Sequence, residues 1–189
     1  MTSAANHATL KILLLLAWTC LNAVARALKL DLPYRPCVGI MLINRDGLVW
    51  VGRRRPKWVG RSGPIWQMPQ GGICAGEAER AAALRELEEE TAVRSVEIVA
   101  EAPGWLSYDL PTELMGVALK GRYRGQRQKW FAMRFLGDES EIDISSRNGH
   151  KAEFEAWRWA RLKELPDLII PFKRQVYRDL AAMFAPYAA

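Results

Sequence analysis

Residues Gly71 to Val93 read GGICAGEAERAAALRELEEETAV, a glycine turn that runs into an acidic helix. Glu86, Glu89 and Glu90 stand at i, i+3 and i+4, positions that share one helical face. Three carboxylates there repel one another, and the helix gains nothing from grouping them unless a cation holds them. The opposite face carries Ala81, Leu84, Leu87 and Thr91, a stripe expected to pack on a core. One side is then anchored while the other presents oxygens. Hard oxygen ligands suit Mg²⁺ or Mn²⁺, and Mg²⁺ sites of this kind are usually completed by substrate phosphates.

Working outward, the chain of 189 residues suits a single domain with a sizeable core. Half of it is apolar and a quarter charged, the composition of a soluble globular protein. The formal net charge is +6 despite the acidic helix, so basic residues dominate elsewhere. Arg53, Arg54, Arg55, Lys57 and Arg61 form one run; Lys120, Arg122, Arg124, Arg127 and Lys129 form another. Such runs are most often solvated surface. Beside a metal site completed by phosphates they favour a polyanionic substrate. Cys20, Cys37 and Cys74 follow no disulfide or zinc spacing and fit a reducing compartment.

Residues 1–31 read as an extension outside the domain. Lys11, the apolar run Ile12 to Trp18 and Ala23-Val24-Ala25 together also have the form of a secretory signal. A third reading is upstream sequence translated from a misplaced start. The apolar run is too short to span a bilayer. The extension reading goes with a cytoplasmic protein, the signal reading with an exported one.

The remainder alternates strands and helices. Cys37 to Asn44 and Leu48 to Gly52 are expected strands around the hairpin turn Asn44-Arg45-Asp46-Gly47. Arg55 to Pro64 reads as a loop whose Trp58 and cations either reach substrate or cover the site, and Ile65 to Met68 leads into the acidic segment. Val96 to Ala100, Trp105 to Leu110, Lys129 to Leu136 and Phe154 to Trp159 are further strands. Pro171 opens a helix to about Ala185, with Phe172, Val176, Leu180 and Met183 inward and Lys173, Arg174 and Arg178 outward.

The 71–93 segment resembles the Nudix box: a glycine, a glutamate after five residues, and after seven more the run Arg-Glu-apolar-x-Glu-Glu-x-Gly-apolar. Gly71, Glu77, Arg85, Glu86, Leu87, Glu89, Glu90 and Val93 fill it, and only Ala92 departs. A left-handed backbone at that helix end costs alanine about 1–2 kcal/mol. Flanking segments narrow the likeness: Tyr34 to Gly39, Trp66 to Gly72, Gly125 to Phe131, Glu153-Phe154 with Trp157-Arg158-Trp159, and Pro171 to Arg174 with Tyr177. They resemble the RNA pyrophosphohydrolase branch of the Nudix hydrolases, close to the diadenosine polyphosphate hydrolases. The resemblance implies an α/β fold, a Nudix α/β/α sandwich with a mixed sheet, over residues 32–186.

It also implies a set of roles. Glu86, Glu89 and Glu90 hold Mg²⁺ or Mn²⁺, joined by Glu153 from a later strand and by the Gly71 carbonyl. Taken without the resemblance, Glu153 is an exposed strand residue. Arg85 pairs with Glu89 at i+4 and fixes its carboxylate, or forms a surface ion pair of little consequence. Glu77 serves structure at the positive end of the helix dipole. Either Glu86 or Glu90 is the general base. Arg35, Arg54 and Lys173 match cations that face the 5′ phosphates and leading nucleotides. Phe172 stacks on a base or belongs to the core, while Trp130, Phe131, Trp157 and Trp159 read as core. The implied activity is removal of pyrophosphate from 5′-triphosphorylated RNA. Two rivals are a dinucleoside polyphosphate hydrolase acting on diadenosine tetraphosphate and a Nudix-fold binding module that has lost catalysis. The four intact acid positions weigh against the last. Nothing in the sequence marks a protein partner.

Overall fold

The computed structural model describes residues 31–55, 65–146 and 151–188. The signal-like segment and most of the loop expected over 55–64, with Trp58, lie outside these. The chain divides into two compact units, residues 1–34 with 110–125, and residues 35–109 with 126–189. Among the described residues no helix is long and apolar enough to cross a membrane.

The larger unit is built on a mixed sheet of eight strands: β1 (Tyr34–Ile43), β2 (Val49–Arg54), β3 (Trp66–Gln67), β4 (Gln70–Gly72), β5 (Val96–Glu101), β6 (Leu106–Asp109), β7 (Gly125–Phe135) and β8 (Phe154–Ala160). The main path runs β3-β2-β1-β7-β5, with β4 on β1, β6 on β7 and β8 on β2. Strand β1 is buried at every position from Cys37 to Ile43, as a strand covered on both faces must be. The β1–β2 hairpin closes as expected. The Asn44 side chain accepts from the amides of Asp46 and Leu48 at 3.0 and 2.9 Å, and Gly47 takes φ 72, which costs glycine nothing.

One face of the sheet, with Val38, Ile40, Leu42, Trp50, Phe131, Met133 and Phe135, receives helix α1 (Glu79–Thr91) through Ala82, Ala83 and Leu87. The other face receives the C-terminal helix, where Tyr177 meets Trp130 edge-on at 6.0 Å. This is the α/β/α layering the sequence suggested. Trp130 and Phe131 are core, whereas Trp157 and Trp159 are only partly buried and pack at its margin.

Two side-chain expectations are corrected. Ala81 and Leu84 are exposed, Leu84 by 43%; the buried residues of α1 are Ala82, Ala83, Leu87, Glu90 and Thr91. At about 100° per residue, Ala82, Glu86, Glu90, Ala83, Leu87 and Thr91 occupy one half of the helix. The carboxylates therefore border the apolar face rather than oppose it, and Glu90 falls within it. Leu87 is fully buried, a contribution of roughly 2 kcal/mol. Ala92 ends the helix at φ 67 and ψ −6, with its N–H on the Glu88 carbonyl, the left-handed position expected of it.

The second correction concerns the C-terminus. A short helix α2 (Leu165–Leu168) precedes a 3₁₀ turn at Pro171–Lys173, and the α-helix proper, α3, spans Arg174–Phe184. Val176, Tyr177, Leu180 and Phe184 are its buried residues, and Met183 is half-buried. Lys173, expected outward, is buried. A 3₁₀ turn has about three residues per turn, so an α-helical projection from Pro171 misplaces its side chains.

In the described part of the smaller unit, the Leu110 and Arg124 amides donate to the carbonyls of Arg124 and Pro33. Leu119 and Lys120 adopt φ 54 and 58.

Candidate active site

Arg85 organises the acidic end. Its Nε and Nη2 donate to Glu77 at 2.7 and 2.8 Å, its Nη2 also to the Gly72 carbonyl at 2.8 Å, and its Nη1 to Glu86 at 2.8 Å and Glu89 at 3.3 Å. Five bonds match the five N–H donors of a guanidinium. Of the two readings of Arg85, the positioning one fits this geometry. Glu77 is thus the counter-fork of Arg85 rather than only a dipole partner. Its other bond comes from the Cys74 amide at 2.9 Å. The Arg85 bond, followed by that amide, pulls its carboxyl down to about 2.

Strand β4 brings the backbone alongside. Gly71 and Gly72 pair with Val38 and Cys37 of β1. A Cβ on Gly71 would overlap the Glu86 carboxylate, and one on Gly72 would overlap the Arg35 guanidinium. The two glycines therefore let an acid and a base lie directly on the strand. The proximity also places the Gly71 backbone beside one of the expected metal ligands.

Glu90 is the deepest acid. It is 9% exposed, and its Oε2 accepts from the Gln70 amide at 3.1 Å. Burial, then the charges of Glu153 and Glu86, push its proton affinity well above the ordinary carboxylate range, against the Gln70 bond and Arg54. Burial likewise raises Glu86, against its bonds to Arg85. Among the described residues, no three acidic, histidine or cysteine side chains already stand as a closed metal cage. The donor set nonetheless suits a hard divalent ion. Desolvated carboxylates that raise one another's proton affinity gain from a cation that replaces the proton.

The cations gather here too. Arg54 Nη2 pairs with Glu153 Oε2 at 2.6 Å, so an expected phosphate contact and an expected metal ligand hold each other across β2 and β8. Lys173 is 8% exposed. Its Nζ donates to Gln70 Oε1 at 3.3 Å and lies 5.0 Å from the centre of the Tyr108 ring. Burial, then Arg54, lowers it to about 7 from 10.5. Phe172 is half-buried with its ring 5.5 Å from Tyr108, and so is neither a core residue nor fully open. The neighbouring cations of β2 are tied to β8: Arg53 to Glu155 at 2.8 Å and Arg55 Nε to the Phe154 carbonyl. In the second basic run, Lys129 pairs with Glu101 at 2.8 Å and Arg127 lies over Trp105.

Three participants had escaped the sequence reading. Tyr108 underlies Lys173, Gln70 links Glu90 to Lys173, and the Tyr177 hydroxyl accepts from the Met68 amide at 3.0 Å. Gln70 and Tyr177 stood in the flanking motifs, but nothing local distinguished them from core polar residues.

A family profile described as NUDIX domain matches residues 33–180. The chain belongs to the Nudix family. Members of this family use divalent metal ions. Among Nudix relatives, the chain is 57% identical over 161 residues to an RNA pyrophosphohydrolase of Mesorhizobium japonicum, covering 83% of this chain and 93% of that one. It is 59% identical over 159 residues to an RNA pyrophosphohydrolase of Rhodopseudomonas palustris, covering 84% and 95%. Solved structures show the same fold at low identity. The dihydroneopterin triphosphate pyrophosphohydrolase of E. coli aligns at TM-score 0.58 and 17% identity, over 79% of this chain and 98% of that one. An Ap4A hydrolase of C. elegans aligns at 0.56 and 17%, over 80% and 98%.

Proposed function

We infer that this Nudix protein is an RNA pyrophosphohydrolase: it hydrolyses the 5′-triphosphate end of RNA to a 5′-monophosphate and pyrophosphate. The observation that carries the reading is the meeting of Glu86, Glu90 and Glu153 with the cations Arg54 and Lys173 around one buried strand end. The names of the relatives support the same substrate. Glu86, Glu89, Glu90 and Glu153, with the Gly71 carbonyl, would hold Mg²⁺ or Mn²⁺. When bound, such an ion neutralises phosphate oxygens and makes water a better nucleophile.

The chain's own residues supply the rest. Arg85 fixes the Glu86 and Glu89 carboxylates. Glu86 or Glu90 takes the proton of the attacking water as general base. Water adds at phosphorus, the anhydride P–O bond breaks and pyrophosphate departs. Arg35, Arg54 and Lys173 meet the phosphate charge, with bidentate geometry open to the two arginines. Phe172, half-buried against Tyr108, offers a ring face to a leading base. The hydrolase unit is assigned to residues 32–186, and the site of action to the cytoplasm, where triphosphorylated transcripts are made.

The test sets purified protein and Mg²⁺ or Mn²⁺ against 5′-triphosphorylated RNA and diadenosine tetraphosphate in parallel. A higher kcat/KM on RNA is expected. A higher value on the dinucleotide, or binding of RNA without turnover, would replace this reading.

A further inference from the structure

Beneath the site lies a row of buried amides with a fixed polarity. Gln128 is 1% exposed, Trp130 0%, Gln126 6% and Gln70 9%. The Trp130 Nε1 donates to Gln128 Oε1 at 3.1 Å. Gln128 Nε2 donates to Gln126 Oε1 at 3.0 Å and to Gln70 Oε1 at 3.2 Å. Gln70 Oε1 also accepts from Lys173 at 3.3 Å.

The direction of this row is set by chemistry. An indole N–H can only donate, so it selects the oxygen of Gln128 and turns the Gln128 amide nitrogen toward Gln70. An ammonium can also only donate. Gln70 must therefore present its oxygen to two donors, and a flipped Gln70 would set an N–H₂ against both. In a site this dry a misdirected amide is costly.

We propose that Gln128, anchored by Trp130, is a positioning residue that orients the Gln70 carbonyl and thereby holds the Lys173 ammonium in place for phosphate. Gln128 acts through Gln70 and Lys173. The Gln70 backbone amide meanwhile holds Glu90, so one residue registers the acid and the cation of the site against each other. The proposal rests on the assignment of Lys173 to phosphate binding given above.

The test compares wild type with Gln128→Met, Gln70→Met, Lys173→Ala and the doubles Gln128→Met/Lys173→Ala and Gln70→Met/Lys173→Ala. Two quantities are read: kcat/KM on 5′-triphosphorylated RNA, and the Kd of inorganic tripolyphosphate by calorimetry. Loss of one oriented charge contact predicts about a 5- to 20-fold fall in kcat/KM and a rise of the same size in the tripolyphosphate Kd for Gln128→Met and for Gln70→Met. Neither should add to the loss caused by Lys173→Ala, since the contact they serve is already gone. Equal losses with and without Lys173, or wild-type values in folded Gln128→Met, would overturn the proposal. If Gln128→Met does not fold, the Gln70→Met cycle decides by the same criterion. A wrong substrate assignment shows separately, as wild type that binds tripolyphosphate but does not turn over RNA.

Discussion

Replacing Lys173 with methionine should stabilise the fold while crippling the enzyme. The side chain is 8% exposed, and its proton affinity falls from the ordinary 10.5 to about 7, chiefly by burial and next by Arg54. At about 1.4 kcal/mol per factor of ten, that gap corresponds to roughly 5 kcal/mol of disfavoured charge. Methionine removes this cost but leaves the Gln70 carbonyl one donor short, a loss of about 1–3 kcal/mol. It also forfeits the contact with the Tyr108 ring, about 0.5–2 kcal/mol. The expected net gain is about 1–3 kcal/mol near pH 6, or roughly 3–10 °C in Tm. The pH dependence has a definite sign. Between about 7 and 10.5 the unfolded chain holds a proton on Lys173 that the folded one lacks, so wild-type stability from this residue rises with pH through that window. It is lost as pH falls to about 7, and is flat below. The advantage of the variant should then be greatest at pH 6 and shrink by pH 10. Thermal unfolding of metal-free protein at pH 6, 8 and 10 measures it. A variant less stable at pH 6, or a difference that ignores pH, would refute the reasoning.

Glu89→Gln and Glu90→Gln should each lower kcat by more than about 100-fold in a Mg²⁺-dependent RNA assay, while metal-free Tm holds or rises. Because Glu90 is raised in the fold, its stabilisation is present at low pH and fades as pH climbs through the folded value; Glu90→Gln should flatten that decline in unfolding scans. Arg54→Ala or Arg35→Ala should lower kcat/KM about 10- to 100-fold, with a penalty that shrinks as salt increases; a salt-independent loss accompanied by lower Tm would indicate structural damage instead. Ala92→Gly should raise Tm by relieving the φ of 67, worth about 1 kcal/mol, without altering kcat. Gly71→Ala should do the reverse, displacing Glu86 and lowering kcat.

The acid register was legible because helix spacing alone places Glu86, Glu89 and Glu90 together. The hairpin was legible because Asn44 and Gly47 carry their turn geometry locally. The buried side of α1 was harder. Two apolar sets, Ala81 with Leu84 and Ala82 with Ala83, both complete a stripe with Leu87, and only packing selects one. Choosing the set opposite the carboxylates assumed that acids avoid the core, which Glu90 does not. Lys173 was misplaced because a single 3₁₀ turn alters the projection of its side chain. The Gln70 contacts join residues 58 and 103 positions apart, and no local pattern encodes a bond of that reach. The likeness of Arg54 and Glu153 to site positions was visible, but their mutual ion pair depends on β2 and β8 lying side by side.

Strand β1 has one more consequence, for the order in which the molecule comes apart. It is flanked by β2 and β7 and paired at its N-terminal end with β4, under two layers of side chains. Amides from Val38 to Leu42 should exchange with solvent only through global opening. Gly71 and Gly72 are laced to this strand by backbone pairing, whereas α1 is joined to β4 by side chains, Arg85 on the Gly72 carbonyl and Glu90 on the Gln70 amide. Loosening the helix breaks those two side-chain bonds but leaves the β4–β1 backbone pairing, so the helix can settle back onto a strand that is still in register.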